Sequence, residues 1–362
     1  MLTSIRLQHF RSYTDVTFPL APGVNIVVGP NASGKTNLLE AVLLCARGAS
    51  YRAKDPELIQ FNQPWARVEG QTQDESRVIK LDHQQAVTKK SYEIGGQVLQ
   101  RLSMQKTLPT VVFEPNHLLL LTGSPDLRRT FIDDLIEQTV PNFGAVRRHY
   151  RRVLTQRNSL LKKGYTAAQS QVFVWNVRLA ELGGKIVQER LRVLQAVNER
   201  ATDMYRQLSL GNANVQVNYQ SSIPTEQYET GLLHKLEANL ERDCLIGYTT
   251  AGPHRDDIEV LLNDWRAEET ASRGENRTLV LMLKLTELAL LEQARGVRPI
   301  LLLDDVFSEL DNARRKALTA HLRNHQTIIT TTDADVVTGD HERTVISLEH
   351  PQADHRAAKP RH

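Results

Sequence analysis

Two short segments near opposite ends of the chain constrain its fold more than anything else in the sequence. Gly29-Pro30-Asn31-Ala32-Ser33-Gly34-Lys35-Thr36 fits the phosphate-binding loop G-x-x-x-x-G-K-[ST]. An apolar β-branched run, Val24 to Val28, precedes it. A helical pattern follows from Asn37 to Arg47, with Leu38, Val42 and Cys45 recurring at helical spacing. The second segment is Ile300-Leu301-Leu302-Leu303-Asp304-Asp305. Its four apolar residues predict a buried strand that delivers two carboxylates at its C-terminal end, where open α/β sheets bind ligands. Asp304 follows Thr36 by 268 residues. A compact nucleotide-binding domain needs far less, so a large insertion must leave the sheet and return to it. The chain is therefore expected to be α/β, with a second lobe inserted between its two nucleotide-binding motifs.

The chemistry of these residue types is specific. Successive backbone N–H groups at a helix N-terminus favour the β- and γ-phosphates of a nucleotide. Lys35 is expected to bridge phosphate oxygens and the Thr36 hydroxyl to ligate Mg²⁺. Asp304 is expected to complete the metal shell, and Asp305 to orient and deprotonate a water. A further segment, Ala271-Ser272-Arg273-Gly274-Glu275-Asn276-Arg277, opens a leucine-rich helix. Ser272 and Gly274 there offer a hydroxyl, N–H groups and a positive dipole end, as a second phosphate site requires. An ordinary N-cap by Ser272 explains the same residues.

Elsewhere, Leu2 to Leu20 and residues 51–112 read as strands and linkers. Helical periods dominate from about 113 to 210. One helix begins after Pro141, with Phe143, Val146, Tyr150, Val153 and Leu160 on one face and Arg147, Arg148, Arg151 and Arg152 on the other half. A second spans about 171–209 and is expected to pack antiparallel to the first across Lys162-Lys163-Gly164. Strands are expected at Val215–Val217, Leu245–Tyr248 and Ile258–Leu262. A buried helix is expected over 274–293, a further helix near 312–324 and a strand at Thr327–Thr331. Net charge is only +3, yet residues 147–192 carry eleven Lys/Arg against Glu181 and Glu189. That local excess points to an anionic partner, or else to a solvated helical face. Of the 362 residues 40% are hydrophobic, which excludes disorder as the main state. Cys45 and Cys244 are the only cysteines, which excludes a disulfide scaffold and a multi-cysteine zinc site. No apolar run of 18 residues and no signal-peptide pattern is present, so a soluble cytoplasmic protein is expected.

Phosphate loop, long insertion, Ser-x-Gly helix, Asp-Asp strand and Ser308-Glu309-Leu310-Asp311 follow the order of ABC-type ATPase heads. With LQHFRSY near the start, GPNASGKTN, GPHRDD at 252–257, SRGEN, LLLDDVFSELD and ITTTD, the chain resembles the RecF family, related to SMC heads, over roughly residues 1–340. The resemblance implies an ABC-ATPase head (P-loop NTPase) with a mainly helical second lobe. Residues 1–112 and 296–348 would form the ATPase lobe, 113–295 the second lobe, and 349–362 a polar tail. It implies an ATP- and Mg²⁺-dependent homodimer sandwiching two nucleotides, with Ser272, Gly274 and Glu275 facing the other subunit's γ-phosphate. Arg11, Asn31 and Asn37 match positions near the nucleotide, and Glu114 to His117 match the glutamine loop of transporters. Glu275 stands where many relatives have Gln. Thr332-Asp333 falls where transporters place a switch histidine, and no histidine is there.

The function so implied is a slow, DNA-linked ATPase of recombinational repair, nucleoid-associated, acting at gapped or junction DNA. RecR and RecO would be partners in loading RecA, with roles in replication restart and SOS induction. Arg147, Arg148, Arg151 and Arg152 would contact the DNA backbone without reading sequence. His254 and Arg255 of the 252–257 segment are either functional or paired with Asp256 and Asp257 at a strand end. Two rival readings are an ATPase energising a membrane transporter and a passive binding module with structural ATP. Nucleotide-dependent dimerisation separates them.

Overall fold

The computed structural model describes residues 1–84, 87–209, 212–322, 324–333 and 343–349. The polar tail therefore lies, beyond residue 349, outside the described residues. The chain opens with β1 (Leu2–Phe10) and β2 (Tyr13–Pro19), then β3 (Val24–Val28) and α1 (Lys35–Arg47). Four strands follow: β4 (Trp65–Thr72), β5 (Ser76–Gln84), β6 (Val87–Ile94) and β7 (Gln97–Leu99). After β8 (Thr110–Phe113) come α2 (Pro125–Thr139), α3 (Phe143–Leu161), α4 (Tyr165–Gln169) and α5 (Val172–Ser209). Next are β9 (Val215–Gln220), α6 (Tyr228–Ala238), α7 (Leu240–Ile246), β10 (Asp257–Leu262), β11 (Trp265–Arg266), α8 (Ala267–Thr270) and α9 (Arg273–Arg295). The chain closes with β12 (Ile300–Asp304), α10 (Val306–Glu309), α11 (Asn312–Leu322), β13 (Thr327–Thr331) and β14 (Arg343–Ser347). Two compact units result: Met1–His117 with the chain from Arg295 onward, and Leu118–Ala294.

The first unit is built around α1. A six-stranded antiparallel sheet, in the order β2-β1-β4-β5-β6-β7, covers one side of it, and a five-stranded parallel sheet, β14-β3-β13-β12-β8, covers the other. That is why ten of the thirteen α1 residues are buried, including Leu38, Leu39, Leu43 and Leu44. Each fully buried leucine is worth about 1.5–3 kcal/mol, so α1 is the keel of this unit. The β8, β12 and β13 strands are apolar or Thr-rich and buried at every position, as strands covered on both faces must be. Gln326 ties the two sheets together. Its side-chain amide donates to the carbonyls of Leu2 and Ala21, and its carbonyl accepts the Leu2 N–H.

The second unit is mainly helical. Arg157 of α3 donates to Asn176 of α5, while His149 lies against Arg178, so contacts climb one helix as they descend the other. The expected antiparallel pair is present, with α4 set between its members. A three-stranded sheet, β11-β10-β9, joins the helices in this unit. The segment Leu245–Tyr248 is not the expected strand. It is the last turn of α7 and its exit, ended by Gly247 at φ 77° with its N–H on the Asp243 carbonyl at 2.8 Å.

Candidate nucleotide site and basic arm

Between β3 and α1 the loop from Gly29 to Thr36 turns back on itself. Gly34, the residue before α1, lies at φ 100°, and a Cβ there would meet the Tyr13 hydroxyl at 2.9 Å. Only glycine fits both the left-handed backbone and that approach. Tyr13 donates to the Gly34 carbonyl at 3.0 Å, fixing the loop from outside. Ala32 is also left-handed, at φ 65°. No side chain caps the first turn of α1 and no acidic residue lies in it. Its leading amides are left for an anion. Lys35 is buried and donates to the carbonyls of Gly29 and Pro30 at 2.7 and 2.8 Å. Burial holds its ammonium below the ordinary lysine range, against the pull of Asp305 and Asp304. The Ser33 hydroxyl is buried with no hydrogen-bond partner among the described residues. An uncapped helix end, a lysine bonded only to loop carbonyls and an orphaned hydroxyl together fit a phosphate chain.

The parallel register of β3, β13 and β12 brings the two distant motifs together. Thr36 Oγ1 lies 3.0 and 3.1 Å from the two Asp304 carboxylate oxygens. Asp304 also accepts from Tyr51 Oη at 3.1 Å and Thr330 Oγ1 at 2.7 Å, with the Arg52 guanidinium at 3.8 Å. A hydroxyl beside a carboxylate is the hard-oxygen donor set that Mg²⁺ takes. Asp305 sits at φ 51°, its N–H held by the carbonyl and hydroxyl of Thr330 at 3.1 and 3.0 Å. Burial raises its carboxyl above the ordinary aspartate value. Tyr51, Arg52 and Thr330 were not singled out from the sequence for this role. Thr330 at least stood in the ITTTD segment, but nothing local marked Tyr51.

Other expected residues are placed as follows. Asn37 donates to Ser12 Oγ at 2.9 Å, and Pro30 and Asn31 are exposed at the loop tip. Arg11 forms a two-pronged pair with Glu40 of α1 at 3.0 and 3.1 Å, and Ser50 donates to the same carboxylate. In the second unit, Ser272 and Glu275 form a reciprocal cap on α9. The Ser272 N–H donates to Glu275 Oε2 at 2.8 Å, and the Glu275 N–H to Ser272 Oγ at 3.3 Å. The Ser272 hydrogen bonds hold the Glu275 carboxyl below its ordinary value.

The basic arm is less free than its charge count implied. Arg157 is fully buried, bonded to Asp243, Asn176, Thr249 and the Leu236 carbonyl. Arg190 is buried against Asp133 at 2.8 and 2.9 Å. Arg147 does not lie on an open face. It reaches Glu137 at 2.9 Å and Asp133 and Asp134 at 3.3 Å. Arg148, Arg151 and Arg152 are exposed. Nor does the 252–257 segment hold the ion pair that its sequence suggested. Asp257 pairs with Arg128, Asp256 accepts from Tyr219, Ser221 and Tyr228, and Arg255 stacks over Tyr248.

Fold and site together define a P-loop ATPase head of the ABC class. The family model "RecF/RecN/SMC N terminal domain" matches residues 1–354. DNA replication and repair protein RecF of Heliobacterium modesticaldum is 37% identical over 347 residues, covering 91% of this chain and 92% of that protein. RecF of Streptococcus uberis is 36% identical over 341 residues, covering 92% and 93%. The solved structure of "the recombination mediator protein RecF-ATPrS in RecFOR pathway" superposes with a TM-score of 0.86 at 30% identity, covering 96% of this chain and 97% of that one. A Smc head domain from Pyrococcus furiosus shares the fold, at a TM-score of 0.52 and 16% identity over 97% and 94% of the two chains. The chain belongs to the RecF family.

Proposed function

We propose that this protein is an ATP-driven DNA-binding switch of replication and recombinational repair. The observation that carries the reading is the meeting of Thr36 and Asp304, 268 positions apart in sequence, at 3.0 Å. Lys35 and the leading amides of α1 bind and orient the triphosphate. Thr36 and Asp304 would hold Mg²⁺, which when bound supplies positive charge against the transferring phosphoryl group. Asp305, beside Asp304 at the end of β12, accepts the proton of the attacking water. ABC heads usually place Glu at this position, and the shorter Asp side chain favours slow turnover, suited to a timer. Ser272 and Gly274 of one copy meet the γ-phosphate held by another, so ATP closes a homodimer and hydrolysis opens it.

The anionic partner is DNA, contacted through its backbone by the arm that carries Arg148, Arg151 and Arg152, with Arg147 held behind them by its carboxylates. The repair role follows the relatives named above, with RecO- and RecR-type partners at gapped or junction DNA and a RecA-type recombinase as the protein loaded. Replication restart and SOS induction belong to the same reading, as does association with the nucleoid. Among the described residues no helix is long and apolar enough to cross a membrane, and no relative named above is a transporter subunit. Sedimentation of the full chain with and without ATP tests the switch. ATP-dependent dimers are expected, and a monomer at saturating ATP would sink it.

A further inference from the structure

Pro253 and His254 join α2, α3 and α5 around a half-open cavity that the nucleotide chemistry does not use. Its volume is about 230 Å³, and its wall includes Arg129 and Thr130 of α2, Arg147 and Arg151 of α3, Arg190 of α5 and His254. That is smaller than the roughly 300–1,000 Å³ of a typical small-molecule pocket, so the space suits one small group. Four arginines and two aspartates, Asp126 and Asp133, line it. Arg129 pairs with Asp126, Arg190 with Asp133, and Arg147 with Asp133, Asp134 and Glu137. That leaves Arg151 as the lining guanidinium with no ion pair to a described residue. His254 adds no charge. Tyr150 Oη lies 2.7 Å from Nδ1 and the Thr249 carbonyl 3.2 Å from Nε2, and burial pushes the imidazole down to about 4.

The arginines are set in place by the protein itself. Arg190 is gripped by Asp133 and by the Pro253 carbonyl at 2.7 Å. Arg129 donates to the Asp256 carbonyl at 2.6 Å, and three hydroxyls hold the Asp256 side chain. Gly252, at φ 127°, lets the loop press onto Tyr150, since a Cβ there would come within 2.6 Å of its hydroxyl. Arg151 differs. It is exposed at the mouth, and its guanidinium has no hydrogen bond or ion pair with any described residue. A fixed wall of cationic donors with one guanidinium still unpaired is preorganised for an oxyanion.

We propose that this cavity binds a single phosphate group, with Arg129, Arg147 and Arg151 around its mouth. Guanidinium forks match the oxygens of a phosphate. The source of that phosphate, a DNA strand terminus, an internal backbone position or free phosphate, deepens the DNA-binding reading and rests on it. The pocket chemistry itself does not.

The test uses the full chain carrying Lys35→Ala, which silences the loop at Gly29 to Thr36 as a competing phosphate site. Inorganic phosphate is titrated while the His254 ring resonance is followed by NMR. A saturable shift is expected. Arg151→Gln should weaken it about tenfold or more, the loss of one charge-assisted hydrogen bond. Thr130→Tyr, which fills the mouth from an exposed position and leaves every arginine in the sequence, should abolish it, and Arg206→Gln, exposed on α5 and outside the lining, should leave it unchanged. Duplexes with a recessed 5′-phosphate or 5′-hydroxyl are then compared. A phosphate preference lost in Thr130→Tyr identifies a strand terminus. Equal binding of both, weakened equally by Thr130→Tyr, identifies internal phosphates, and DNA binding indifferent to Thr130→Tyr leaves free phosphate as the ligand. An equal response to acetate would make it a carboxylate site and overturn the proposal. So would an unmoved His254 resonance with DNA binding unaltered in Thr130→Tyr and Arg151→Gln. If only the DNA reading fails, the resonance still moves with phosphate while the parent binds no duplex. If only the pocket fails, neutralising Arg148 and Arg152 still flattens the salt dependence of DNA binding.

Discussion

Two helices in this molecule begin with a glycine, a serine and a positive dipole end, and their first turns differ in one respect. At α1, Gly34 stands before the helix, no side chain caps it and the first turn holds no acid. At α9, Ser272 and Glu275 close the end on each other, with the Glu275 carboxylate on the Ser272 N–H. The first end is open to an anion at once. The second already holds one, so a phosphate arriving from another copy must displace the Glu275 carboxylate or share its donors. Under the proposed function, loading of nucleotide at α1 and closure at α9 would therefore be separable in energy.

The comparison can be broken from either side. The largest effect should come from Asp305→Asn, which keeps Mg-ATP binding and dimer formation yet slows single-turnover hydrolysis by about 10²–10⁴. Loss of ATP binding in that variant would instead make Asp305 the metal ligand. Lys35→Ala removes the ammonium that donates to the loop carbonyls of Gly29 and Pro30. ATP affinity measured by calorimetry should fall about a hundredfold or more, the loss of two charge-assisted hydrogen bonds, while the thermal transition persists. Unchanged affinity would show that the open end of α1 is not where the nucleotide binds.

Changes at α9 should leave that affinity alone. Ser272→Arg removes the cap and places a bulky cation at the helix end, so ATP-driven dimerisation should be lost in sedimentation with monomer ATP affinity intact. The cap itself is worth about 0.5–2 kcal/mol of stability. A normal dimer would show that the signature segment does not face the partner's phosphate. The smallest effect belongs to Glu275→Gln, which keeps the capping geometry and removes the charge. Dimerisation with ATP should tighten severalfold, at a cost of about 0.3–1 kcal/mol in thermal stability. The folded carboxyl lies below its unfolded value of about 4.5. Its stabilisation is therefore complete above that pH, is lost as pH falls through the lowered folded value, and should be missing from the acid limb of the Glu275→Gln stability profile.

What was legible in the sequence follows physical range. The strand at Thr327–Thr331 and the 172–209 helix were readable because burial periodicity is local. So were Thr36 and Asp304, because each ends or begins an element whose type the neighbouring residues fix. Tyr51 and Thr330 were not, because their place on Asp304 depends on sheet register and on the path of the chain after α1. Arg147 was misassigned to an open face because the charge window began at residue 147. Its partners Asp133, Asp134 and Glu137 lie on the preceding helix, just outside that window. The run Leu245–Tyr248 suited a strand by composition, but Gly247 is a helix stop, and three apolar residues around it are too few to arbitrate.

The strand order of the parallel sheet sets a timetable for synthesis. β3, which leads into the nucleotide loop, hydrogen-bonds to β13 and β14 on its two sides, and neither is made until about 300 residues later. At roughly 5–20 residues per second the ribosome needs on the order of 15–60 s to supply them. Throughout that time the Val24–Val28 segment, apolar and β-branched at most positions, has no strand beside it and is a target for wrong pairing. The helical unit, by contrast, is contiguous from Leu118 to Ala294 and can gather all its pieces while the last strands are still inside the ribosome. A nascent chain stalled before Thr327 is then a finished arm attached to an unfinished engine.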